Sequence, residues 1–395
     1  MTDQSIAPRV SLPTIVREWA RIGVTGFGGP AAHIALLRKL CVERNGWLDA
    51  AEFEDAIAAT NLLPGPASTQ LAIFCAWRLR GRVGGILGGI CFIVPGLVLI
   101  VLLAALFLEA HPPLWIVGAA AGAGAAVPAI ALKAGVGLIP ASWKRAGNVR
   151  AARIRWIAFV VVGVASGALI GAWLVVVLIA MGAIEILIER DWQRNPPPGS
   201  ASVAVPWLIP LFAFGGFAGL GALAWVALKV GALSYGGGFV IIPLMQHDAV
   251  VTYHWMTNAQ FLDAVALGQV TPGPVVLTVA AIGYAAAGLG GALLAAVVAF
   301  TPSFVFVLAG GPRFNRIRSN RTIQAFLTGA GATVIGAILG SAVPLGLALA
   351  QLWQVGVLAL ALIWLLALRR GVVLAIVGAA VLGVVAALSG APVPH

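Results

Sequence analysis

The sequence predicts an all-α integral membrane protein made of two homologous halves, arranged as inverted repeats, with broken or re-entrant helices at Gly-Gly and Pro-Gly-Pro. Three observations predict it. Hydrophobic residues make up 61% of the 395-residue chain and charged residues only 9%. A set of glycine, tryptophan, aspartate and proline positions recurs 208 residues further on, as Lys229 follows Arg21. Basic residues, finally, swap connectors between the two copies.

Composition comes first. A soluble domain is about 25% charged, and a mean hydropathy of +1.02 makes the bilayer the solvent here. Apolar runs of spanning length occupy 84–108, 114–132, 156–184, 207–228, 291–309, 322–350 and 353–389. Backbone groups in lipid must satisfy each other, so runs of this length read as helices. Their alanine, valine and glycine texture suits close helix packing rather than the alternation of a barrel. The net charge of +11 sits in short connectors, where the positive-inside rule accounts for it, and nucleic acid is not expected as a partner. The three cysteines (Cys41, Cys75, Cys91) form no Cys-x-x-Cys pair, and the five histidines have no metal-ligand spacing. No metal, no cofactor and no enzymatic nucleophile motif is expected. Asp3, Arg9, Arg17 and Glu18 interrupt any apolar core near the N-terminus, so a cleaved leader is not expected either.

The repeat is gapless over its first stretch. Arg21-Ile-Gly-Val-Thr-Gly-Phe-Gly28-Gly29 overlies Lys229-Val-Gly-Ala-Leu-Ser-Tyr-Gly236-Gly237. Trp47 overlies Trp255, Asp55 overlies Asp263, and Pro64-Gly65-Pro66 overlies Pro272-Gly273-Pro274. Two halves follow, 1–194 and 205–395, joined by a linker at 195–204 that contains three consecutive prolines. Connectors of the first half carry Arg38, Lys39 and Arg44, then Arg78, Arg80 and Arg82, whereas their counterparts at 246–254 and 286–290 carry no Lys or Arg. The connector 109–113 lacks them too, yet its counterpart holds Arg313, Arg316, Arg318 and Arg321. This reversal predicts inverted topology.

Connectors 38–46 and 78–82 are both basic, although one crossing of about 20 residues would place them on opposite sides. A helical hairpin, 50–62 in and 67–77 back, resolves the conflict, with its break at Pro64-Gly65-Pro66. Gly26–Pro30 breaks an earlier helix in the same way, and Ser234–Gly238 and Pro272–Pro274 are the second-half equivalents. Free N–H groups and helix N-termini meeting at four breaks form an anion site built from backbone. Asn61 and Gln269 could add amide donors, and Ser68, Thr69, Thr271 and Thr278 could add hydroxyls, or could bond back within their helices. The matched cations Arg21 and Lys229 suit a dianion or snorkel to an interface. The matched carboxylates Asp55 and Asp263 suit proton coupling or a structural ion pair. Acidic neighbours Glu52 and Glu54 favour Asp55 as the proton carrier.

These residues carry a resemblance. Gly26-Phe-Gly-Gly-Pro30, Trp47, Glu52-Phe-x-Asp55, Asn61-Leu-Leu-Pro-Gly-Pro66 and Phe92-x-x-Pro95-Gly96, with the second-half Tyr235-Gly-Gly-Gly, Trp255, Phe261-x-Asp263 and Gln269-Val-Thr-Pro-Gly-Pro274, resemble the long two-domain form of the chromate transporter family. The resemblance covers both halves as two chromate-transporter repeats. It implies a multi-pass protein of the bacterial cytoplasmic (inner) membrane that exports chromate, by proton coupling or by exchange with sulfate. Its partners would be chromate or sulfate as substrate, the lipid bilayer and a second copy in a homodimer. A sulfate or general oxyanion carrier and a lipid-phosphate flippase remain alternatives.

Overall fold

Proline and glycine set where the helices stop. In this computed structural model, residues 10–60, 63, 65–108, 112–169, 174–192, 219–234, 241–310 and 320–394 are described. Asn61, Pro64, Gly236 and Gly237, the expected linker, most of the apolar run 207–228, and Arg313, Arg316 and Arg318 lie outside the described residues. α1 (Leu12–Thr25) opens on Ser11, whose hydroxyl accepts from the Thr14 N–H at 3.3 Å, and ends at Gly26. Gly28 and Gly29 take φ of 100° and 75°, a region that a Cβ disfavours, and Pro30 then starts α2 (Pro30–Arg38). A π-helical turn, Lys39–Arg44, continues it. α3 (Ala50–Thr60) and the first arm of α4 (Ala67–Phe107) make the hairpin, and α4 breaks at Arg80–Gly81 before running on. α5 (Leu114–Ala125), α6 (Val127–Ala146), α7 (Arg150–Leu169) and α8 (Leu174–Trp192) follow. The apolar run 156–184 is therefore split between two helices.

The second half traces the same path. It comprises α9 (Leu220–Leu233), α10 (Ile241–Gln246) with a π-turn His247–Thr252, α11 (Asn258–Val270) and a short 3-10 helix Val275–Leu277. After these come α12 (Thr278–Gly310), broken at Ala287–Gly288, then α13 (Arg321–Leu347), α14 (Leu352–Leu362) with a π-turn Ile363–Ala367, and α15 (Val372–Leu388). The run 353–389 is thus also two helices.

Irregular backbone repeats as closely as helix order does. Gly46 and His254 share positive φ, 57° and 51°, and the next N–H, of Trp47 and Trp255, donates to Cys41 and Ala249 carbonyls at 2.7 and 2.8 Å. Gly65 and Gly273 have φ of 121° and 102°. Gly81 and Gly288 break their helices at φ, ψ of 63°, −156° and 60°, −152°. Gly288 lies 207 rather than 208 positions after Gly81, as does Pro302 after Pro95. The 3-10 helix explains the lost residue: its three residues at a rise of about 2.0 Å span roughly what four α residues do at about 1.5 Å.

The hairpin arms are short. α3 has 11 residues, about 16 Å at 1.5 Å per residue, roughly half of a 30 Å hydrocarbon core. Arg38 pairs with Glu54, and Arg78 with Glu52, so both basic connectors fasten to the outer turn of α3 at the hairpin's open end. Five of the described helical spans are long and apolar enough to cross a membrane. Exposed aliphatics line one side of the outer part of α4 at Ile86, Ile90, Val94, Val98 and Leu102, and Leu293, Val297 and Val305 continue the pattern on α12. Outward apolar stripes of this kind belong against lipid tails.

Glycine lets the halves interlock. Gly163 and Gly167 on α7 meet the Thr333 and Ala337 backbone of α13, and Gly336 and Gly340 meet Val160 and Val164. Gly118 and Gly122 on α5 cross Gly383 on α15. These four-residue spacings are the small-residue pattern of close membrane helix crossings. Each half therefore packs its helices against the last helices of the other. Cys41 and Cys75, distant in sequence, also meet through their thiols.

Candidate functional site

Among the described residues, three helix starts at the breaks carry no side-chain cap: α2 after Gly29, α4 after Pro66 and the 3-10 helix after Pro274. Their first N–H groups have no partner within the helix. The breaks interlock across the halves. The Gly273 N–H donates to the Gly26 carbonyl at 3.1 Å, tying the second Pro-Gly-Pro to the end of α1. Gly96, just after Pro95 on α4, lies against the Pro272 carbonyl so closely that any side chain there would collide with it. A methyl on Gly65 would lie 3.1 Å from Ser303 Oγ, just after Pro302 on α12. Gly96 and Ser303 occupy the same repeat position, so Pro272 and Gly65 each sit beside the internal proline of the other half's long helix.

Polar atoms without partners gather on these elements. Thr69 Oγ1, Ser234 Oγ, Gln269 Nε2 and Ser303 Oγ are buried and make no hydrogen bond among the described residues. Burying such a group unpaired costs about 1–3 kcal/mol. Ser234 is the α9 counterpart of Gly26 at the end of α1. Thr271 and Thr278, by contrast, bond back to the Leu267 and Val275 carbonyls at 3.0 and 2.8 Å. Ser68 is engaged by His33, whose Nδ1 lies 3.2 Å from Ser68 Oγ and whose Nε2 lies 2.8 Å from the Gly26 carbonyl. His33 is fully buried and meets Phe92 edge-on at 5.0 Å.

The matched charges stand elsewhere. Arg21 is 65% exposed, 4.0 Å from Glu18. Lys229 is only 13% exposed and donates to Asp248 at 2.7 Å, with the Trp225 ring beneath it at 5.9 Å. Asp55 is exposed, and the acidic neighbours that favoured it are each held by an arginine. Asp263 instead lines a cavity of about 220 Å3 whose other walls, among them Phe107, Ala120, Ala266 and Ile376, are apolar, and it has no ion-pair partner among the described residues. The two aspartates share a repeat position but not an environment.

Sequence reasoning overlooked His33, Ser234 and Ser303 as polar groups of this region. Ser303 sits after a proline within an apolar run, and its repeat counterpart is glycine, so no matched pair pointed to it. His33 faces Ile241 in the repeat and stands alone for the same reason. No cluster of His, Cys, Asp and Glu fit for a metal occurs among the described residues.

A sequence profile of the chromate transporter family matches residues 13–186 and 221–384. The chain is 32% identical over 349 residues to a chromate transport protein of Cupriavidus metallidurans, covering 86% of this chain and 84% of that protein. It is 30% identical over 389 residues to a "Probable chromate transport protein" of Synechococcus elongatus, covering 96% and 97%. A chromate transport protein of Pseudomonas aeruginosa is 30% identical over 351 residues, covering 85% and 82%. No solved structure matches the chain. With its interlocked halves and matches spanning both, this multi-pass helical chain belongs to the chromate transporter family.

Proposed function

We propose that this protein carries chromate out of the cytoplasm through a site formed where the two Pro-Gly-Pro breaks meet the internal prolines of the opposite halves' long helices. The single observation that carries this reading is the set of buried groups on the broken helices and beside Pro302 that have no hydrogen-bond partner among the described residues: Thr69 Oγ1, Ser234 Oγ, Gln269 Nε2 and Ser303 Oγ. All four can donate, and three uncapped helix N-termini point their dipoles to the same breaks. A tetrahedral dianion supplies four acceptor oxygens and needs no matching cation in such a place. The backbone of Gly28, Gly29, Gly65, Pro66, Thr271, Pro272, Gly273 and Pro274 shapes the site, and the second-half glycines Gly236 and Gly237, with Asn61 and Pro64, complete it in this reading.

Two finer features belong to the same proposal. The halves are inverted in the membrane, each one repeat, and the α3–α4 and α11–α12 hairpins are re-entrant. The matched torsions and the fastening of both basic connectors to α3 support this. Export of a dianion from a cell with a negative interior is electrically downhill. Coupling to protons through Asp55 and Asp263, or exchange with sulfate, sharpens that gradient. Asp263 is the better placed carboxylate, because the other described residues that line its cavity are apolar.

The test is chromate flux in proteoliposomes, with and without an imposed pH gradient and with sulfate on the far side. Chromate-dependent flux in wild type that falls when Ser303 and Thr69 lose their hydroxyls supports the proposal. Wild-type vesicles no more permeable to chromate than empty ones would refute it.

A further inference from the structure

His33 is the ionisable side chain that joins three of the four breaks. Its Nε2 lies 2.8 Å from the Gly26 carbonyl, which also accepts from the Gly273 N–H at 3.1 Å. Its Nδ1 lies 3.2 Å from Ser68 Oγ in the first turn of α4, beside the unpartnered Thr69 hydroxyl. One ring thus touches the α1–α2 break and the start of α4 directly, and the second Pro-Gly-Pro through a shared carbonyl.

Chemistry dictates the protons. A carbonyl only accepts, so the neutral ring carries its hydrogen on Nε2 and donates it to Gly26. Nδ1 is then a lone pair and accepts the Ser68 O–H. A further proton can bind only at Nδ1. Once there, it donates to Ser68 Oγ, and the Ser68 hydrogen must turn away and find another acceptor. Proton uptake therefore does two things at once: it places a positive charge on a buried side chain and releases a hydroxyl donor at the α4 N-terminus.

Among the described residues no protein group answers that charge. Glu18 on α1 pairs with Arg17 and Arg21. Arg38 on α2 pairs with Glu43 and Glu54, and Lys39 is exposed. On α4, Arg78 pairs with Glu52, Cys75 meets Cys41, Cys91 is half-buried, and Arg80 and Arg82 are exposed at the helix break. Asp263 on α11 faces its own apolar cavity. Among the described residues none of these bonds to His33.

We infer that His33 takes up a proton together with the oxyanion, so that the transported anion is the counter-charge of the imidazolium and the Ser68 hydroxyl becomes one of its donors. This rests on the oxyanion-carrier reading. The occupied site then holds a net single negative charge instead of two. His33 is a positioning residue for the anion in its neutral form and a partner in its charged form.

Sulfate is the probe, because unlike chromate it carries no proton between pH 6 and 8. Sulfate binding to the purified protein is measured by calorimetry across that range, in two buffers of different ionisation heat that report proton uptake directly. Wild type should bind more tightly as pH falls, by up to about tenfold per unit, with up to one proton taken up per anion. His33→Gln keeps an N–H donor for Gly26 and an acceptor for Ser68, so it should bind sulfate with no pH slope. Ser68→Ala should keep the slope and lose affinity severalfold. A wild type without slope or proton uptake, or a His33→Gln variant with the wild-type slope, would overturn the inference. Wild type that binds neither sulfate nor chromate at any pH would overturn the carrier reading, and this inference with it.

Discussion

The N–H of Gly273 and the carbonyl of Gly26, 247 residues apart in the chain, share a 3.1 Å hydrogen bond that joins the two halves at their broken helices. Beside it, Gly96 and the Pro272 carbonyl touch with no room for a Cβ. Backbone meets backbone here, so the closeness depends on the absence of a side chain.

Gly96→Ala should therefore push the second Pro-Gly-Pro away from α4. The expected cost is about 1–3 kcal/mol of stability with loss of most transport. Gly137→Ala, in open space on α6, is the control, and should be neutral or stabilising by about 0.5–1 kcal/mol. Thermal unfolding in detergent and vesicle flux read both. Normal flux in Gly96→Ala would mean that the contact is dispensable.

Removing an unpartnered donor should split stability from function. Ser303→Ala and Thr69→Val each delete a buried hydroxyl that has no hydrogen-bond partner among the described residues. Each variant should be as stable as wild type or more so, by about 1 kcal/mol, yet bind the anion about tenfold more weakly, as a lost hydrogen bond to a charged group implies. A variant that loses stability and keeps its affinity would assign that hydroxyl to the fold instead.

Lys229 and Arg21 separate in a similar test. Lys229→Met strands Asp248 in a buried setting and should cost about 3–5 kcal/mol. Lys229→Met with Asp248→Leu removes both charges and should restore most of it. Arg21→Ala should change stability by less than about 1 kcal/mol, because the Arg21 side chain is exposed, its 4.0 Å contact is long, and Arg17 still pairs with Glu18. If the restored double variant also transports normally, Lys229 serves the fold; if it folds but does not transport, the cation serves the anion.

Topology is open to direct measurement. With Cys41, Cys75 and Cys91 replaced, single cysteines at Arg82 and Leu289 mark the equivalent breaks of α4 and α12. An impermeant thiol reagent should reach Arg82→Cys only from the cytoplasmic face and Leu289→Cys only from the other. Labelling of both from one side would rule out inverted repeats.

What the sequence determined by itself was whatever depends on local chemistry or on counting. Composition gave the solvent, since 9% charge cannot clothe a soluble surface of this size. Proline and glycine placed the breaks, because Pro30 and Pro66 can start a helix but not continue one, and Gly65 and Gly273 alone tolerate their φ values. The matched spacing revealed the repeat, since two copies of one backbone path need the same special residues at the same places. Tertiary structure alone decided which breaks meet. Spacing along a chain says nothing about whether Pro-Gly-Pro faces its own long helix or that of the other half, and the answer lies in the contacts of Gly96 with the Pro272 carbonyl and of Ser303 Oγ with Gly65. It also decided the fate of matched residues. Asp55 and Asp263 look equivalent by position, yet one is exposed and the other lines an apolar cavity, because the helices that cover α11 arrive from α5 and α15, far along the chain. His33 shows the limit most plainly: as a lone residue opposite an isoleucine it has no pattern to read, and only the folding of α1, α2 and α4 around it makes it the link between the breaks.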